Sequence, residues 1–132
     1  MGSKTTKQSD DFDLFTVIVA HLPALVEKGF VFGVWRFPQG AMPYVEYSPK
    51  ARSLMRDIDR IKLNFDWMAW MKTVQTDIDD PAKLAQADLL TVRRLLTAHL
   101  RMDRFNEGHL LAIFESGYLI ALLRRLKELT SM

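Results

Sequence analysis

The chain has 132 residues, of which 48% are hydrophobic and 26% are charged, and its net charge at pH 7 is +2. This length and balance indicate one globular domain with its own core, and they exclude a disordered or fibrous protein. The absence of cysteine excludes a disulfide scaffold and a thiolate metal site.

The N-terminal sequence and the apolar runs bear on localisation and domain boundaries. MGSKTTKQSDDFD places aspartates where a signal peptide needs its hydrophobic stretch. The longest apolar run, Leu14 to Val26, contains His21 and Pro23 and is shorter than the ~20 residues of a membrane span. We therefore expect a cytoplasmic protein with no membrane segment. Residues 1–10 are assigned to a flexible N-terminus or a cloning remnant, and residues 11–132 to a single globular domain.

The first part of the chain predicts helical segments followed by a β-hairpin. A helix is expected from about Asp11, because the preceding Ser-Asp-Asp sequence offers a cap and carboxylates that suit the helix dipole. Pro23 is expected to kink this helix or begin a second one, and Gly29 to end the helical region. FVFGVWRF, the turn PQGA and MPYVEYS then predict two strands. Both faces of the first strand are apolar, which predicts that it is covered on each side.

The middle of the chain predicts two capped helices with a strand between them. Ser48 followed by Pro49 is expected to begin a short, mostly polar helix. RIKLNFD then alternates apolar and polar residues with the period of a half-buried strand. Asp66 is expected to cap the next helix. The inner face of that helix carries Trp67, Trp70, Met71 and Val74.

The C-terminal half predicts three helices. Asp80 with Pro81 is expected to begin the longest helix, which ends near Met102. Its inner face carries Val92, Leu95, Leu96 and His99. Asn106 is then expected to cap a short helix, and Gly117 to end it in a left-handed turn. The last helix has an apolar stripe formed by Leu119, Leu122, Leu123, Leu126 and Leu129. The predicted fold class is α+β, mostly helical, with a two- or three-stranded antiparallel sheet covered by helices.

The polar stretch RFNEGHLLAIFESG, residues 104–117, holds most of the candidates for function. The candidate binding residues, taken from this stretch and from the basic helices around it, are Arg101, Arg104, Glu107, His109, Glu115, Arg124 and Arg125. Each polar residue of the stretch also has a structural interpretation, in which Glu107 lies near a helix N-terminus and reaches Arg104. His99 is interpreted as a hydrogen-bonded core histidine. No H-E-x-x-H spacing and no Gly-rich phosphate loop occurs, so no catalytic residue, metal ligand or cofactor is predicted.

The segment LLTAHLRMDRFNEGHLLAIFESGYLIALLRRL, with the earlier FDWMAW, resembles a widespread family of small bacterial proteins described as a domain of unknown function. The similarity covers most of the chain after Pro43 and is sharpest from Leu95 to Leu126. The residues that match the family signatures FDWxxW and RFxEGHL…ESGYLIALLRRL include Arg104, Phe105, Glu107, Gly108, Ser116 and Gly117. The resemblance implies a bacterial cytoplasmic origin and a single domain, and it implies no activity.

Three classes of function follow from these patterns. A domain with no catalytic constellation is expected to work by contact, as a non-catalytic protein–protein interaction module that binds another chain or itself. A homodimer would use helical surface of the C-terminal half, because Ile120 and Ala121 widen the apolar arc of the last helix. One alternative is a nucleic-acid-binding protein that uses the basic C-terminal helices; a continuous arginine patch would favour it, and arginines paired with carboxylates would disfavour it. A second alternative is a small-molecule-binding or enzymatic domain with an unrecognised site.

Overall fold

A computed structural model describes the backbone of residues 2–78 and 80–131 and the side chains of residues 11–74, 80 and 82–131. The helices are α1 (Gly2–Val19), α2 (Leu22–Leu25), α3 (Pro49–Asp59), α4 (Trp67–Ile78), α5 (Pro81–Ala85), α6 (Leu89–Met102), α7 (His109–Glu115) and α8 (Tyr118–Thr130), and the strands are β1 (Gly33–Arg36) and β2 (Tyr44–Tyr47). More than half of the chain is helical and the two strands are antiparallel, which confirms the predicted fold class.

Helix α8 lies at the centre of the helical core. It contacts α1, α2, α5, α6 and α7. Its buried residues are Leu119, Leu122, Leu123 and Leu126. Ile120 and Leu129 are partly buried against the same core. The apolar arc of this helix therefore packs mostly within one chain, although Ala121 is exposed, and a dimer through this helix stays a prediction.

The predicted hairpin is confirmed, but its first strand is not covered on both sides. In the antiparallel register Trp35 lies opposite Val45, and Val34 lies opposite Glu46. Val45 is buried, whereas Val34 and Trp35 are exposed. Val34 lies on the face of the sheet that is turned away from the core. Trp35 lies on the same face as Val45, where its indole packs against Gly108 and the residue stays 40% exposed.

The predicted third strand in RIKLNFD is wrong, because residues 61–65 form an irregular segment. Their backbone groups bond to side chains of α6 rather than to another strand. Arg93 Nε donates to the Ile61 carbonyl at 2.6 Å, and the Leu63 N–H donates to Thr97 Oγ1 at 3.2 Å. Ile61 is buried. The alternation of apolar and polar residues therefore belongs to a loop that packs against α6.

Two of the proline-associated caps are confirmed, but the helix predicted from Asp80 to Met102 is broken. Asp80 accepts from the Ala82 N–H at 2.9 Å and begins α5, which ends at Ala85. Asp88 then caps α6 by accepting from the Thr91 N–H at 2.8 Å, and hydrogen bonds from Thr91 lower the pKa of Asp88. The second cap makes the break favourable because it satisfies a free N–H of the new helix. Ser48 and Asp66 cap their helices as predicted.

Helix α1 begins at Gly2 rather than near Asp11. Asp11 lies inside the helix, where its carboxylate forms an ion pair with Arg93 at 3.4 Å. An aspartate favours a helix start but is tolerated inside a helix when its side chain finds another partner. The predicted flexible N-terminus falls on residues whose side chains lie outside the described part, so that boundary stays a prediction. None of the described helices is long and apolar enough to cross a bilayer.

Candidate functional site

The residues between α6 and α7, 103–108, form a corner that holds the hairpin, and Asp103 is its main polar anchor. Asp103 Oδ1 accepts from the Tyr47 hydroxyl at 2.6 Å and from the Leu110 N–H at 3.0 Å. The first bond ties the corner to β2, and the second caps the start of α7. Burial and the bond to Asp103 raise the pKa of the Tyr47 hydroxyl. The cap that the sequence assigned to Asn106 therefore belongs to Asp103.

Glu107 supplies a second tie between the corner and β2. Its Oε2 accepts from the Val45 N–H at 2.8 Å. The helix begins only at His109, so Glu107 does not lie in the first turn of α7. No contact of Glu107 with Arg104 within 4.0 Å is found among the described side chains. Glu107 thus bonds an edge N–H of the sheet, a role that its position in the sequence did not suggest.

Gly108 brings the corner backbone against the inner face of the hairpin. It has a φ of +81°, and a Cβ at this position would lie 2.5 Å from Trp35 Cζ2 and 3.0 Å from Val45 Cγ2. Glycine is required here both by the left-handed backbone and by the closeness of the indole. Asp103, Glu107 and Gly108 together seat the hairpin on the helical core.

Because Asp103 rather than Asn106 caps α7, we expect the costly substitution to be at Glu107 and not at Asn106. We expect Glu107→Ala to lower the free energy of unfolding by about 1–2 kcal/mol, because it leaves the Val45 N–H without its acceptor. Asn106→Ala should cost less than about 0.5 kcal/mol, because Asn106 is exposed and caps no helix. Urea denaturation of both variants beside the parent measures these values. If Asn106→Ala lowered the free energy of unfolding more than Glu107→Ala, Asn106 would be the residue that caps α7.

A buried histidine pair lies behind the corner. His99 Nδ1 and His109 Nε2 are 2.9 Å apart, and their rings stack with an interplanar angle of 15°. The edge of the Tyr118 ring contacts His99. Burial lowers the pKa of His99 to about 3, and it also lowers the pKa of His109. The core interpretation of His99 is confirmed, and the candidate binding residue His109 is its hydrogen-bonding partner.

The hairpin and the residues beside it expose a group of large hydrophobic residues, on both faces of the sheet, that sequence reasoning missed. We call this group the hairpin surface. Its members and their exposed fractions are Val31 (54%), Val34 (42%), Trp35 (40%), Phe37 (75%), Met42 (84%) and Tyr44 (44%). Trp35 and Phe37 stack with ring centroids 6.3 Å apart. The signal was the apolar character of both faces of β1, which was interpreted as burial.

A family of unknown function (DUF6508) matches residues 13–132 of the chain. The chain belongs to this family. The assignment agrees with the resemblance to a domain of unknown function, and it brings no activity. No curated protein and no solved structure matches this DUF6508 chain.

Two arginines of the DUF6508 chain, Arg125 and Arg94, contact other parts of the fold. Arg125 Nε donates to the Ala87 carbonyl at 2.8 Å, and its Nη1 contacts Glu128 at 3.2 Å. Arg94 lies over the rings of Phe65 and Trp70. These two cations are therefore used in packing the helices together.

The remaining candidate cations lie in separate places. Among the described side chains Arg101, Arg104 and Arg124 have no carboxylate partner within 4.0 Å. Arg104 lines a shallow groove of about 310 Å³ with Arg56 and Asp59, whereas Arg124 lines another of about 620 Å³ beside Val26. Arg104 and Arg124 thus line different grooves, and among the described side chains only Arg125 of the four candidate arginines is paired with a carboxylate.

The described part of the chain also offers no group of three or more metal-ligating side chains. Glu115, the last of the sequence candidates, is an exposed residue at the end of α7. Glu107 thus bonds to the hairpin and His109 to His99. No contact in the described part of the chain joins either of them to Arg101, Arg104, Glu115, Arg124 or Arg125.

Proposed function

We propose that this DUF6508 protein is a non-catalytic protein–protein interaction module of the bacterial cytoplasm, and that the hairpin surface binds its partner. The observation that carries the proposal is the exposure of six large hydrophobic side chains within residues 31–44. Aromatic side chains present about 150–250 Å² each, so the exposed fractions of Trp35, Phe37 and Tyr44 leave roughly 250–400 Å² of aromatic surface in water. Trp35 and Phe37, which stack on each other, supply most of this area, and an exposed apolar patch of a few hundred Å² on a monomer is often a binding site.

The engagement of the polar corner residues supports contact rather than catalysis. Asp103 is bound by Tyr47 and Leu110, Glu107 is bound by Val45, and His109 is bound by His99. A general acid or base has to reach a substrate proton directly or through one water. The bonds of Asp103 and Glu107 join the hairpin to the helices, and the bond of His109 joins α7 to α6, so these groups are better suited to fixing the structure in place.

The seating of the hairpin also favours binding. The ties at Tyr47 and Val45 and the close contact between Trp35 and Gly108 fix both strands on the core. A surface that is already ordered loses less conformational entropy when a partner binds. Met42 is the most exposed of the six side chains, and a flexible thioether adapts to different apolar partners.

The proposal is tested by selecting peptides from a displayed random library on the full chain. Peptides selected on the parent should bind with a Kd in the micromolar range. They should lose about tenfold or more in affinity for a Phe37→Ser, Met42→Ser double variant, because the anchors of the site are removed.

A matched control removes exposed apolar side chains elsewhere. Met68 in α4 and Leu90 in α6 are also exposed, so a Met68→Ser, Leu90→Ser double variant should keep the parent's affinity. Selected peptides that bind equally well to the hairpin variant would show that the interaction site lies elsewhere.

A further inference from the structure

We infer that the occupant of this surface is a second copy of the chain, joined through the outer edge of β1 so that two hairpins form one continuous antiparallel sheet. The inference rests on the proposed function, because it names the partner of the hairpin surface. It places the dimer contact at β1 rather than on α8, whose leucines pack in the core.

The hydrogen bonds of β2 show which backbone groups of β1 point away from the hairpin. The Val45 N–H points to Glu107, away from β1, so Trp35 and Val45 form a non-hydrogen-bonded pair. The Ser48 N–H donates to the Phe32 carbonyl at 2.9 Å, so Phe32 and Ser48 form a hydrogen-bonded pair. Hydrogen-bonded and non-hydrogen-bonded pairs alternate along the strands, so this bond agrees with the assignment at Trp35 and Val45. The N–H and C=O groups of Trp35, and of Gly33 two residues earlier, therefore point away from β2. Neither N–H donates to any group in the described part of the chain.

The two outer edges of the hairpin differ in how their backbone groups are protected. The outer edge of β2 is closed by Glu107, whereas β1 carries none of the usual protections of an edge strand other than its short length of four residues. It contains no lysine and no proline, and its one charge, Arg36, is paired with Glu46 at 3.2 Å. An isolated two-stranded sheet is marginal, and pairing through the open edge makes it four-stranded.

The residues of β1 fit a two-fold antiparallel arrangement centred on Val34. In this register Val34 faces Val34 of the second copy, and each Gly33 exchanges backbone hydrogen bonds with Trp35 of the other chain. Gly33 has no room for a side chain of its own, since a Cβ there would lie 2.9 Å from Val45 Cγ1. Val45 and Tyr47 thus fill the space above Gly33, and Trp35 of the other copy contributes its backbone groups rather than its indole at this position. Arg36 faces Phe32 of the second copy, so like charges do not meet.

The size of the surface sets the expected strength. A standard interface buries about 800 Å² on each partner, and a contact through the edge of the four-residue strand β1, which leaves out Tyr44, buries much less than that. We therefore expect a weak, reversible dimer with a Kd of about 10–100 µM.

Sedimentation of the full chain over a range from about 5 µM to about 1 mM tests the inference. The parent should shift from monomer to dimer over this range. Val34→Lys should raise the dimer Kd about tenfold or more, because it places like charges opposite each other at the two-fold axis. Tyr44→Lys is the matched control: Tyr44 lies on the same face and is equally exposed, but it is on β2, away from the proposed edge contact. It should change the Kd by less than about threefold.

Two further measurements report on the edge itself. An equimolar mixture of Val34→Lys and Val34→Glu chains should dimerise again, because opposite charges then meet at the axis. In the parent, amide hydrogen exchange of the Gly33 and Trp35 N–H groups should slow with concentration, because these groups are bonded only in the dimer.

The outcomes separate this inference from the proposed function. A parent that stays monomeric at about 1 mM, or a dimer that Val34→Lys and Tyr44→Lys weaken equally, overturns edge pairing. If such a monomer still binds selected peptides through the hairpin surface, the proposed function stands with an extended peptide as the occupant. A dimer that is weakened selectively by Val34→Lys and restored in the mixed sample supports both.

Discussion

Gly108→Ala is expected to lower the free energy of unfolding by about 2–4 kcal/mol, one of the largest effects of any conservative substitution in this chain. The left-handed backbone at φ +81° accounts for about 1–2 kcal/mol of this, because a Cβ opposes that conformation. The rest comes from the Cβ itself, which would lie 2.5 Å from Trp35 Cζ2 and push the indole off the corner. Urea denaturation at pH 7 measures the change.

Gly117→Ala is the matched control for the backbone part of this effect. Gly117 has a nearly equal φ of +88°, but no atom lies within 4 Å of the position that its Cβ would take. The substitution should therefore cost only about 1–2 kcal/mol. Replacing Trp35 by Val should reduce the cost of Gly108→Ala to the value found at Gly117. Equal costs for the two glycines in the parent background would mean that the contact with Trp35 does not constrain the corner.

Local sequence patterns predicted those parts of the fold that depend on neighbouring residues. Ser48 with Pro49 and Asp66 cap the helices that follow them, since a cap needs only the N–H groups two or three positions later. The hairpin was predicted for the same reason, from β-branched and aromatic runs joined by a glycine-containing turn. These signals are complete within a few residues.

The failures concern partners that are distant in the sequence. RIKLNFD has the period of a strand, but its backbone groups bond to Arg93 and Thr97, more than thirty positions away. Glu107 bonds to Val45 across 62 positions. Nothing in either segment alone specifies these partners, because an apolar alternation fits any surface that can bury one side of an extended chain.

The candidate site was missed for a related reason. An apolar residue in a strand predicts that something covers it, but burial depends on whether the fold supplies a second layer. At β1 the described chain covers only the face that carries Val45, so Val34 on the other face remains exposed, and Trp35 on the covered face is still 40% exposed. Of the residues that sequence analysis selected for function, Glu107 instead holds this surface in position, and His109 pairs with His99 in the core.

Acidification is expected to destabilise the protein through His99. Burial lowers the pKa of this histidine from 6.5 to about 3, so between these pH values the unfolded chain binds a proton that the folded chain does not. The contribution of His99 is therefore fully present above pH 6.5 and is lost as the pH falls towards 3. From pH 6.5 to pH 5 the loss is about 2 kcal/mol for this one group. The lowered pKa of His109 adds to it in the same direction, although the nearby Asp103 carboxylate opposes the shift of His109.

His99→Phe separates this effect from the titration of the carboxylates. The ring that replaces the imidazole still packs against Tyr118 but does not titrate, so the variant should lose less stability between pH 6.5 and pH 5 than the parent, by about 2 kcal/mol. At pH 7 the variant should be less stable by about 1 kcal/mol, because His109 loses its hydrogen-bonding partner. The two stability curves, measured by urea denaturation from pH 8 to about pH 4.5, should therefore cross below the ordinary histidine pKa. Parallel curves would show that His99 takes up its proton in the folded state as readily as in the unfolded one.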